Sequence, residues 1–93
     1  MTVEFIPKKK DSICLGVTNK TWFWLLNNSD IGEIFNSQNT NDPIIADNNQ
    51  ALTCVKIMKT IKLPKNWSNG IDNEKMRSYF IEFFESCGGF TTY

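Results

Sequence analysis

Apolar and polar positions alternate from Thr2 to Ile6, with Val3 and Phe5 on one side of the chain and Glu4 on the other. That period of two predicts a strand, which Pro7 stops. Lys8–Ser12 is polar and reads as a turn. Ile13–Val17 predicts a second strand, in which Gly16 marks a bulge or the close approach of another backbone. The two strands are expected to pair as a hairpin across the lysine turn. Thr21–Leu26 is the most apolar run in the chain. Trp22 and Trp24, two apart, would suit a strand. Asn19 as an N-cap, with Leu25 and Leu26 three and four positions after Trp22, suits a short helix, which is the reading adopted. Asn27–Ser29 ends it, and Ser29 ahead of Ile31, Ile34 and Phe35 predicts one or two further helical turns. Asn36–Asp42 reads as loop, and Pro43 excludes helix just before it.

The helical period is clearest further on. Asp47-Asn48-Asn49-Gln50 has the form of a capping box, with Gln50 at the third helical position. Ala51, Leu52, Val55, Met58 and Ile61 then make an apolar stripe, and Pro64 stops it. Lys65–Gly70 reads as a loop containing Trp67. Asp72 or Asn73 caps another helix, with Met76, Phe80, Phe83 and Cys87 along one face and Tyr79 and Phe84 flanking it. Gly88-Gly89 is a helix-ending signal, because glycine takes the left-handed conformation at little cost. Phe90–Tyr93 is β-prone and is expected to add an edge strand to the N-terminal hairpin. The expectation is an α+β fold. Two main helices and one or two short ones would pack on a small antiparallel sheet containing both termini.

Composition adds scale. Ninety-three residues are expected to form one domain, 1–93, near the small end of what can bury its own core. Seven Phe, three Trp and two Tyr supply the large side chains that such a core needs. The formal charge is zero but sorted. Residues 1–20 carry +2. Residues 21–55 hold no Lys or Arg and carry −4 from Asp30, Glu33, Asp42 and Asp47. Lys56, Lys59, Lys62 and Lys65 give +4, and the remainder carries −2. A neutral total argues against a protein whose main work is on a phosphate backbone. Cys14, Cys54 and Cys87 fit neither a disulfide framework nor a C-x-x-C pair. No signal-peptide core and no membrane-length apolar run is read, so a cytoplasmic chain with reduced thiols, without membrane contact, is expected.

Little catalytic chemistry can be drawn from these residues. The chain has no His, which removes the commonest general base and metal ligand. The carboxylate pairs Asp30/Glu33 and Glu82/Glu85 have helical spacing, the usual pattern of solvated surface charge. Cys87 precedes Gly88-Gly89 at a helix C-terminus, where the dipole disfavours a thiolate, so a packed core thiol is expected. Gly88-Gly89 follows a helix where a phosphate loop would open one. No catalytic residue, no cofactor and no metal site is assigned, and the chain is read as a non-enzyme.

Two charged regions could meet a partner. Lys56, Lys59, Lys62 and Lys65 recur every three residues, and Lys56, Lys59 and Lys62 are expected to share one helix flank. The region Asn27–Asn49, rich in Asn and free of base, offers Asp30, Glu33, Asp42 and Asp47 to a cationic partner. Trp67, alone in a polar loop, is either a core plug or an interface anchor, and it joins those four acids as a candidate partner-binding residue.

The segments Trp22-Phe23-Trp24-Leu25-Leu26, Asp47 through Ile57, and Phe80 through Phe90 with its Gly88-Gly89 ending resemble small bacterial proteins similar to the immunity proteins of contact-dependent or polymorphic toxin systems. The likeness covers about half the chain and lies in packing and capping motifs, so no binding residue carries over. It implies a non-catalytic inhibitor that covers the active site of a toxin domain, a nuclease in the first instance, so the expected partner is a protein. The alternative is a phage-type inhibitor or a nucleic-acid-associated adaptor using the lysine row.

Overall fold

The strand pattern at the N-terminus becomes the middle of a sheet. The computed structural model describes residues 2–35, 43–68 and 70–93. Among them the elements run β1 (Thr2–Pro7), β2 (Leu15–Thr18), α1 (Asn19–Asn28), α2 (Asp30–Ile34), β3 (Ile45–Asp47), α3 (Asn48–Thr60), α4 (Asn73–Ser86) and β4 (Gly89–Thr92). The strands form one antiparallel sheet in the order β2-β1-β4-β3. The fold is α+β, with the strands nearest both termini inside the sheet. The Asn36–Asp42 loop expected from composition lies outside the described residues.

The register explains why one sheet face is apolar. Val3 opposes Val17, Phe5 opposes Leu15 on one side and Thr92 on the other, and Ala46 opposes Phe90. Successive side chains point to opposite faces, so this set meets the helices. Val3, Phe5, Val17, Ala46 and Phe90 are all buried. The alternate residues Thr2, Glu4, Ile6, Gly16, Ile45 and Tyr93 face away and are exposed. Phe5 is the centre of the buried face. Its ring lies 4.8 Å from Trp22, 5.7 Å from Phe80, 5.7 Å from Phe83 and 5.4 Å from Phe90, mostly edge to face.

Local rules set most helix ends. Asp47 caps α3, its carboxylate accepting from Gln50 N at 2.8 Å while Gln50 Oε1 accepts from Asp47 N at 3.0 Å. The capping box is therefore complete. Asp72, the first of the two proposed caps, accepts from Lys75 N at 3.1 Å to open α4. Ser29 caps the short α2. Gly88 has φ +69° just past α4, as the glycine signal requires. At Gly89 the need is also steric, since a Cβ there would sit 2.7 Å from the Ala46 carbonyl oxygen.

Several details differ from the sequence expectation. β2 begins at Leu15, leaving Ile13 and Cys14 outside the ladder. Thr18, not Asn19, caps α1, because β2 runs straight into the helix and its last extended residue takes the cap position. Leu52 is 41% exposed and Cys54 takes its place inside. The buried stripe is Ala51, Cys54, Val55 and Met58, and Leu52 lies off that face. α3 ends at Thr60 with Ile61 extended, because the Pro64 ring would clash with the carbonyl four residues earlier. Phe84 is core, not flank. β4 is not an edge strand. Ile45–Asp47, to which no strand was assigned, pairs on its far side.

A guanidinium closes the open end of α3. Arg77, on α4, donates to the carbonyl oxygens of Met58 and Ile61, the second at 2.8 Å, and to Glu74 Oε1 at 3.0 Å. The last carbonyls of a helix have no partner inside it, and a forked cation satisfies two at once. Trp67 provides another long-range tie. Its Nε1–H donates to the Thr21 carbonyl at 3.1 Å, and Thr21 Oγ1 donates to the Trp67 carbonyl at 3.0 Å. A turn from Pro64 to Trp67 aims the indole inward, with Asn66 in the left-handed region at φ +59°.

Two measurements check this account. Phe5→Ala is expected to lower unfolding stability by about 3–5 kcal/mol, the range for deleting a buried aromatic ring. In so small a domain, denaturant melts of the variant should start without a folded baseline. Arg77→Ala is expected to cost about 1.5–3 kcal/mol, the range for hydrogen bonds to a charged group, with Arg77→Lys recovering only part because one ammonium cannot span both carbonyls. Equal stability of the Arg77→Lys protein and the parent would contradict the fork.

Candidate functional site

The acidic residues singled out by charge do not form one site. Asp30 and Glu33 lie together on α2, exposed, and line a shallow hollow of about 270 Å³ with Leu26, Asn27, Asn28 and Ser29. Asp47 stands elsewhere, between β3 and α3, with one carboxylate oxygen committed to the capping box. Asp42 lies outside the described residues. Trp67 must be withdrawn as an interface anchor. It is 3% exposed, packs 5.8 Å from the Phe80 ring, and its indole N–H is bonded to the Thr21 carbonyl. The polar loop around it is a lid on the core, because the left-handed Asn66 turns the side chain inward.

The lysine row is also split. Lys56, Lys59, Lys62 and Lys65 are all exposed. Because α3 stops at Thr60, Lys56 and Lys59 share its surface, while Lys62 lies on the segment beyond and Lys65 in the turn that follows Pro64. The expected continuous flank of three lysines is therefore not formed.

An apolar concavity among the described residues lies where no motif pointed. The segment Asp11–Leu15, leading into β2, stands against the α4 face that carries Tyr79, Glu82, Phe83 and Ser86, and between them opens a cleft of about 340 Å³. Ser12 Oγ donates to the Ser86 carbonyl at 2.7 Å and ties the turn to the end of α4. Leu15, Tyr79 and Phe83 give the cleft an apolar lining, Asp11 and Glu82 are its charged residues, and the Cys14 thiol is exposed beside it. Ile13, on its lip, is 85% exposed. An isoleucine so open beside an apolar cleft is the kind of surface that partners bury. The sequence carried a faint signal for it. Tyr79 falls beside the apolar face of α4, but the sequence placed Ile13 within a strand, and only the structure leaves it outside the ladder.

The helix-free face of the sheet is a second apolar feature. Ile45 is 70% exposed and Tyr93 68%, with Ile6 and Thr91 on the same face.

The remaining reactive groups are in the core. Cys54 and Cys87 are fully buried. Burial pushes the Cys54 thiol from 9.0 up to about 12, with a smaller push from Cys87. Burial also raises Cys87, against smaller lowering effects from backbone hydrogen bonds and Lys9. Cys87 is the packed thiol expected of its place at a helix C-terminus. The carboxylate pairs Asp30/Glu33 and Glu82/Glu85 are exposed. Among the described residues no three of His, Cys, Asp and Glu gather where they could hold a metal ion. No helix among them is long and apolar enough to cross a membrane.

The fold thus defines a two-layer α+β domain with an open cleft at one end of its sheet. Comparison with family models, curated proteins and solved structures gives no match for this chain.

The thiols give a direct check. At pH 8 iodoacetamide should modify Cys14 alone in the folded protein and all three cysteines once it is unfolded, as read by intact mass. Because the folded pKa of Cys54 lies above the unfolded one, its contribution to stability is intact below pH 9.0 and declines as the pH rises from there toward about 12. A Cys54→Ala protein should show a flatter alkaline decline in melting temperature than the parent.

Proposed function

We propose that this chain is a non-catalytic binding protein, an inhibitor that neutralises a bacterial toxin domain by covering its active site in the cytosol. The observation that carries the binding role is the apolar cleft between the β2 approach and α4, with Ile13 standing open on its lip. Phe83 and Leu15 tie the floor of the cleft to the core, while Ile13 stands outside that cluster. The charge distribution supports a basic partner. Asp30 and Glu33 stand exposed in a region without lysine or arginine, and such patches speed the approach of cationic surfaces, nuclease clefts among them. The likeness to immunity proteins in the aromatic segment and the capped helices points the same way.

The exposure of Lys56, Lys59, Lys62 and Lys65 favours a second reading, an adaptor or phage-type inhibitor that meets nucleic acid. That reading requires affinity for DNA or RNA that falls steeply with salt.

The test is co-expression with the product of the adjacent reading frame. A toxin domain should co-purify in a stable complex and lose its activity, and Asp30→Lys with Glu33→Lys should slow association about tenfold at low salt, the gap closing as salt screens it. A neighbour that is no toxin, or a purified pair that does not associate, would refute the inhibitor reading. Binding of a short duplex at low salt, abolished at moderate salt, would favour the second.

A further inference from the structure

We propose that the free edge of β2 is a strand-addition site, taking an extended segment of a partner protein whose inward side chains are an apolar residue flanked by Lys or Arg. This rests on the binding role proposed above and names its surface and its partner chemistry. Backbone pairing shows which groups are free. Glu4 exchanges both of its hydrogen bonds with Tyr93, at 3.0 Å and 2.9 Å. Hydrogen-bonded and non-bonded pairs alternate along an antiparallel ladder, so Val3 and Phe5 point their backbone groups toward β2 and bond Val17 and Leu15. The N–H and C=O of Gly16 then point outward from the edge of the sheet.

Nothing in the sequence guards that edge. Ile13–Thr18 contains no charged residue and no proline, the usual devices against strand pairing. The opposite edge differs. β3 is three residues long, and its Asp47 N–H is taken by Gln50 Oε1. β2 is thus the better template.

The cleft gives the edge its specificity. A strand added beside β2 places the residue opposite Gly16 on the helix-free face and the residue opposite Leu15 toward the helices. That inward residue enters the cleft lined by Leu15, Tyr79 and Phe83, with Ile13 closing over it. The charged residues of the cleft, Asp11 and Glu82, are both acids. Two of the neighbouring lysines are turned elsewhere, since Lys8 lies along Gly89 and Lys9 along Gly88. The carboxylates at the margin of the cleft therefore favour basic residues beside the apolar one.

The probe is the capped peptide Thr-Lys-Thr-Phe-Thr-Lys-Thr, titrated into the labelled protein and followed by amide NMR and hydrogen exchange. The expected result is chemical-shift change confined to Ile13–Thr18, Tyr79 and Phe83, with exchange of the Gly16 amide slowed at least tenfold. The same peptide with Glu for Lys should bind at least tenfold more weakly. Ile13→Lys and Glu82→Lys, both at exposed positions, should weaken binding by similar factors while melting like the parent. Several results would overturn the proposal: no shift at millimolar peptide, shifts centred elsewhere, equal binding of the two peptides, or a Gly16 amide already protected by a second copy of the chain. If a toxin binds but Gly16 stays unprotected in the complex, this site is wrong and the inhibitor role stands. If the peptide binds but the neighbouring gene product does not, the role is wrong and the site stands.

Discussion

Phe5 is the residue on which the rest of the packing depends. It occupies β1, the strand paired on both sides near its centre, and it touches rings from α1, α4 and β4. A domain of 93 residues has little interior, so one side chain that contacts every major layer carries more of the cohesion than it would in a larger protein. The rings around it meet at steep angles, the arrangement aromatic quadrupoles prefer. Trp22 and Phe80 stack beside it at 17°. The sheet, α1 and α4 are thereby locked into one relative position, and the other features of the surface follow from that position.

Polar ties complete what the rings begin. Arg77 holds the end of α3 to α4, and the paired bonds between Thr21 and Trp67 hold α1 to the loop between those helices. Each tie satisfies backbone groups that the secondary structure leaves open, and an unmade bond of that kind inside a protein costs more than a made one contributes. They also explain why a polar loop carries a buried tryptophan. The loop is anchored by its side chain, not by its composition.

The surface left over is selective. One end of the sheet is short and capped, and the helix-free face shows Ile45 and Tyr93. At the other end an unguarded strand runs beside an apolar cleft with acidic walls. Phe83 and Leu15 line the cleft from the core side, while Ile13, Asp11 and Glu82 stand exposed at its margin. A binding role fits them because apolar side chains beside a concavity gain from being covered, and carboxylates at its margin select what covers them.

Much of the fold was legible along the chain because it obeys rules that act over a few residues. Alternation marked β1. The Asp47 capping box, the Ser29 and Asp72 caps and the Gly88 stop are contacts between near neighbours, and all appear where the residues placed them. What failed were judgements that depend on distant partners. β3 is too short to show a period and exists because β4 offers it a ladder. Trp67 sits in polar company along the chain yet is buried by Phe80 and Thr21, which lie far from it in sequence. The acids Asp30, Glu33 and Asp47 formed a group by proximity in sequence, but folding kept Asp30 and Glu33 on α2 and placed Asp47 at the start of α3. The cleft joins residues 11–15 to residues 79–86, and no spacing rule connects segments so far apart. The sequence by itself determined most of the segments that become helix or strand, β3 apart, and where most of them end, because those choices are settled by short-range sterics and hydrogen bonds. The tertiary structure alone decided which side chains stay exposed and which surfaces meet, because exposure is a property of what packs against a residue from elsewhere in the chain.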